Sequence, residues 1–260
     1  METSQTPPEE KPVAATPEQL TSTMHEQDRL FCPAAVLFFC GLFAGLWVLQ
    51  MVNPLVPKEK AIVHLLCSLM PFAVFAPLAG LIGLLPVSRK LGWRETLGIR
   101  SELTLQGHIW ANLKMLLILL PASLVLNYIS KLLFEQFHLK MSPQAVEEFG
   151  QGASGSSYWV VSFVCAVVVS PLAEELLFRQ ILYRSVRHFM PLWATFLTSL
   201  LFALSHGMGQ FYAGLFVLSL GFQYARNHGG IVRSILLHAM YNTISMLFLL
   251  QSITPSGGTP

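Results

Sequence analysis

Long apolar runs separated by short polar breaks fill most of this chain. Residues 1–29 are the exception. They are rich in Pro, Glu, Thr and Gln, which predicts a disordered tail. They lack the basic and apolar regions of a cleavable signal peptide, so the first apolar run is expected to serve as an uncleaved signal. That run covers Pro33 to Val52 and is ended by the two Pro and two Lys of Asn53 to Lys60. A second, Ala61 to Val87, contains Pro71, Pro77 and Pro86 and should be kinked. Arg89 to Gly107 is polar and reads as an interfacial piece with Trp93 at headgroup level. A third run, His108 to Leu133, is followed by a polar loop that closes in the Gly/Ser-rich stretch Gly150 to Ser157. Four more runs then follow closely: Tyr158 to Tyr183, Pro191 to His206, Phe211 to Ala225 and Ile231 to Leu250. The pattern predicts an all-α, polytopic helical membrane protein of about seven transmembrane helices. Its organisation reads as a tail (1–29), N-terminal helices and loops (30–157), a C-terminal core (158–250) and a short polar tail (251–260).

Composition strengthens this picture. Of the 260 residues, 53% are hydrophobic and only 12% charged, about half the charge of a soluble domain. The net charge of +2 comes with no basic, aromatic-interleaved patch, so nucleic acid is not an expected partner. Cys32, Cys40, Cys67 and Cys165 form no C-x-x-C pair, which argues against a disulfide framework or a thiolate metal site. Arg89, Lys90, Arg94, Arg100, Arg184, Arg187, Arg226 and Arg233 fall on the N-terminal side of the expected spans. Lys58, Lys60 and Lys140 fall on the other, with Lys131 near a span end. The positive-inside rule then puts the N terminus in the cytoplasm and the C terminus outside.

Ionisable groups inside such runs are costly, at about 2.5 kcal/mol or more per charge, so each needs a reason. The stretch S-P-L-A-E-E-L-L-F-R places Glu175 and Arg179 at i, i+4, where they can neutralise each other. Glu174 lies about 100° away around the helix and is left for another partner. His206 follows in F-A-L-S-H, four residues after Phe202. His238 and Asn242 lie at i, i+4 in H-A-M-Y-N and share a helix face. A carboxylate, two imidazoles and an amide gathered in one pocket supply a base for water, a group to orient it and donors for an oxyanion. Each has a blander reading as an interhelical hydrogen bond, and the Glu175–Arg179 pair reads as structural. On straight helices His206 would lie roughly 9 Å deeper than Glu174 and His238. A shared pocket therefore requires a tilt, a kink at Pro171 or a displaced helix.

Together, E-E-x-x-x-R, F-x-x-x-H and H-x-x-x-N resemble the CPBP family of intramembrane proteases, which includes type II CaaX prenyl endopeptidases and Abi-type and lysostaphin-resistance-like proteins. The resemblance covers Tyr158 to Leu250 and puts the catalytic cluster on the last four helices. It implies that Glu174 activates water, His206 helps hold it, His238 and Asn242 stabilise the oxyanion, and Glu175 and Arg179 support the site. The substrate would be a peptide or membrane-associated protein, lipidated or CaaX-like in some relatives, and the bacterial inner membrane is the expected location. The family has been described both as metal-dependent and as metal-free. Glu174, His206 and His238 could make a three-ligand zinc set; no H-E-x-x-H is present, and the metal-free reading is preferred. Competing readings are a non-catalytic immunity or binding protein, a transporter, and rhomboid-type serine chemistry at Ser154 in the G-x-S-G of the Gly/Ser-rich loop.

Overall fold

The computed structural model describes residues 16–56, 60–100, 104–141, 156–207 and 209–253, and these contain helices and turns with no strand. The chain is an all-α polytopic membrane protein. Among the described residues, four stretches are long and apolar enough to cross a bilayer: Thr21–Leu55, Leu105–Gln136, Ser157–Phe189 and Gly209–Gln251. Ser154 lies outside the described residues.

The N-terminal segment departs from expectation. Residues Pro17–Arg29 form a helix, α1, rather than disordered tail. Thr16 and Gln19 cap it reciprocally, each side chain bonding the other's backbone N–H. Its anchor is Asp28, only 2% exposed. That carboxylate accepts from Arg184 Nε at 2.8 Å and from Arg187 at 2.5 and 2.8 Å. Arg184 also reaches Glu95 at 3.2 Å and lies over the Phe31 ring. The low-complexity composition does not register partners so far along the chain.

Helix α2 (Cys32–Val52) packs against α4 (Ala76–Leu91). Between α3 (Ala61–Met70) and α4, the ladder widens into a π turn at Pro71–Phe75, where proline cannot donate its missing N–H. A single turn, α5 (Trp93–Thr96), follows. The chain around it is tied inward: the Gln180 side-chain amide donates through Nε2 to the carbonyls of Glu95 and Thr96 at 3.2 and 2.6 Å. Arg226 in turn donates to Gln180 Oε1 at 2.9 Å.

Helix α6 (Leu105–Gln136) packs along the long α11 (Tyr212–Ile253). Between them in sequence runs a rod of α7 (Ser156–Val164), a π segment (Cys165–Val169), α8 (Ser170–Glu175), a second π segment (Leu176–Leu182) and α9 (Tyr183–Phe189). Helix α10 covers only Ala194–Ser205. Its 12 residues reach about 18 Å, against roughly 30 Å of hydrocarbon. The expected span over Pro191 to His206 is therefore corrected to a short helix. It ends at His206 because Gly207 adopts φ 67°, a left-handed stop.

Helix α11 bends at Gly230, with φ 75° and ψ −179°, a conformation open essentially only to glycine. The bend lets Ile231 N–H donate to Gly98 O at 2.9 Å. A Cβ on Gly230 would lie 2.8 Å from that carbonyl. Gly230→Ala is expected to destabilise the fold by about 1–3 kcal/mol from the backbone alone, read as a lowered midpoint of thermal unfolding in detergent. An unchanged midpoint would contradict the close packing at this bend.

Candidate active site

The site is assembled where α8, α10 and α11 meet, and Pro171 shapes its first wall. In the π segment before it, Ser170 N–H bonds Cys165 O, five residues back. In that register the next donor, to Ala166 O, would be residue 171, which is proline and has none. The freed Ala166 carbonyl accepts from Asn242 Nδ2 at 2.8 Å. A break in one helix thus fixes the orientation of an amide on another.

Glu175 is fully buried. Arg179 Nε lies 3.3 Å from its Oε2, His238 Nδ1 lies 3.0 Å from its Oε1, and the Ser234 hydroxyl sits against Oε2. The Arg179 guanidinium, also fully buried, lies 4.9 Å from the Phe202 ring centre and 5.7 Å from that of Phe222. These faces favour a cation. Phe222 stacks on His238 at 4.4 Å, and Phe202 packs edge-on to Phe178 and against His206. The Phe of F-x-x-x-H is therefore a buried hub between the cation and both imidazoles.

Glu174 is placed differently. Its side chain is 25% exposed, and its Oε2, 3.8 Å from His238 Nε2, has no hydrogen-bond partner. His206 donates Nδ1–H to Phe202 O at 2.8 Å, since a carbonyl can only accept. This leaves its Nε2 as an acceptor in the neutral ring. Glu174, His206, His238 and Asn242 all line one cavity of about 510 Å³. The depth difference expected for straight helices does not keep them apart, since all four line this one cavity.

Among the described residues, no three His, Cys, Asp or Glu side chains are placed to hold a metal ion together. Glu174, His206 and His238 line one cavity but are not such a group.

Two residues at the site escape motif reading. Ser234, one turn before His238, continues the face of His238 and Asn242. Its position in S-x-x-x-H-x-x-x-N could have been read as part of the same stripe. Asn127 of α6 lines the cavity from the opposite half of the chain, with its Oδ1 buried and unpartnered. Its only sequence signal is an amide inside an apolar run. It fits because Gly214 has no side chain; a Cβ there would lie 2.1 Å from Asn127 Oδ1.

No curated protein and no solved structure gave a match. Residues 156–244 match the family model described as Type II CAAX prenyl endopeptidase Rce1-like. That range contains Glu174, Glu175, Arg179, His206, His238 and Asn242. Over these residues the chain is similar to that family, on the same stretch that carries the three motifs.

Proposed function

We propose that the chain is an intramembrane endopeptidase in which Glu174 is the general base. The observation that carries this reading is that Glu174 lines a cavity together with His206 and His238 while its buried Oε2 has no hydrogen-bond partner. A water in front of Glu174 gives one proton to that carboxylate. It is held through its other hydrogen by His206 Nε2, which the Phe202 carbonyl keeps free. The water oxygen attacks the peptide carbonyl, and the negative charge on the carbonyl oxygen is met by His238 Nε2–H and the second Asn242 amide hydrogen. The protonated Glu174 then passes its proton to the leaving amine. Glu175 orients His238 through Nδ1 and pairs with Arg179. Glu175 and Arg179 act as positioning residues.

The substrate is proposed to be a membrane-associated protein or CaaX-like peptide, lipidated or not. The arginines near the ends of α9 and at the bend of α11 support a cytoplasmic N terminus, and a bacterial inner membrane is the proposed setting. The reaction is proposed to need no metal. Purified protein, exhaustively demetallated, should hydrolyse a fluorogenic peptide library containing farnesylated CaaX sequences at an undiminished rate. Activity lost on demetallation and restored only by Zn²⁺ would overturn the metal-free mechanism. Folded protein that cuts nothing in the library would favour a non-catalytic binding role.

A further inference from the structure

A second cavity, about 150 Å³, lies on the other side of Glu174. Ser170, Glu174 and His206 line both cavities and form the partition between them. The rest of the small cavity is largely apolar: Phe38 of α2, Leu69 of α3, and Leu177 and Phe178 just after the two glutamates. Phe38 is 2% exposed and Leu177 and Phe178 are each 6% exposed, so this wall is held by core packing. Phe38 and Leu69 lie outside the residues that match the family model.

We infer that this small cavity is a specificity pocket that takes one apolar side chain of the substrate, next to the bond being cut. The inference rests on the peptidase reading above. A carbonyl attacked at Glu174 belongs to a chain that continues past the partition. The larger cavity holds the oxyanion donors His238 and Asn242. The smaller one offers, apart from the shared Glu174 and His206, no charged side chain to a substrate. A charged side chain entering it would lose its water without a new partner. The volume also sets a size: a cavity of about 150 Å³ lined by Leu, Ile and Phe accepts a benzene-sized guest. One aliphatic or single-ring side chain fits, whereas a prenyl chain does not. Leu69, contributed by the N-terminal half, becomes a specificity-determining residue.

The test is a peptide series carrying Ala, Val, Leu, Phe or Asp at each of the two positions flanking the scissile bond, given to wild type, Leu69→Ala and Leu69→Phe. At one of those positions, wild type should prefer Leu over Ala by about tenfold or more in kcat/KM, the scale for added methylenes in an apolar pocket. It should reject Asp there. Leu69→Phe should lose the Leu preference, and Leu69→Ala should shift the preference toward Phe. The two variants change the pocket in opposite senses, so either alone carries the test if the other does not fold. Equal scaling of all peptides by both variants, or an unchanged preference, would overturn the pocket and leave the peptidase reading standing. Wild type that cuts no peptide would remove both.

Discussion

Glu174→Gln is expected to lower kcat by about 10²–10⁴-fold, the range supplied by a positioned general base, with little change in KM or thermal stability. The amide keeps the shape of the carboxylate but cannot take a proton from water. Stability should hold because Oε2 of Glu174 has no hydrogen-bond partner to lose and the side chain is partly exposed to the cavity. Steady-state hydrolysis and thermal unfolding of the same detergent preparations separate the two effects. A variant that unfolds, or one that cuts as fast as wild type, would remove Glu174 from the role given to it.

Its neighbour should behave in the opposite way. Arg179→Leu is expected to destabilise the protein by about 3–5 kcal/mol, because it leaves a buried carboxylate uncompensated. Glu175 has no exposed surface through which water could replace the guanidinium. Arg179→Lys should rescue poorly, since an ammonium cannot lie as a plane between Phe202 and Phe222. Adding Glu175→Gln to Arg179→Leu should recover much of the stability, because the stranded charge is then gone, but not activity, because His238 loses its charged orienting partner. Unfolding midpoints of the singles and the double decide this. An Arg179→Leu protein as stable as wild type would contradict the buried pair.

These two predictions rest on adjacent residues of one motif, and their difference was legible in the sequence. Spacing alone paired Glu175 with Arg179 and left Glu174 free, and a pairing distance of 3.3 Å agrees. The stripe of His238 and Asn242 was equally legible, because helix geometry fixes which residues share a face. Features made by tertiary packing were not. Pro171 signalled a kink, but not that the carbonyl freed at Ala166 would hold Asn242. His206 sat at the end of an apolar run that hydropathy extends to Pro191, whereas the helix itself starts only at Ala194. Asp28 followed a polar, proline-rich stretch, and its partners Arg184 and Arg187 are more than 150 residues away. The small cavity is formed by Phe38 and Leu69 meeting Leu177 and Phe178, apolar residues whose periodicity distinguishes them from no lipid-facing neighbour.

The central claim is that Glu174 and His238, on different helices, work on one substrate carbonyl as one hydrolytic centre. The most direct test is a double-mutant cycle on peptide hydrolysis with Glu174→Gln, His238→Ala and the double variant, each shown to be folded. Groups that act as a unit are strongly non-additive, so the double variant should lose little more than the worse single. Losses that multiply, or a folded wild type with no peptidase activity to lose, would contradict the account.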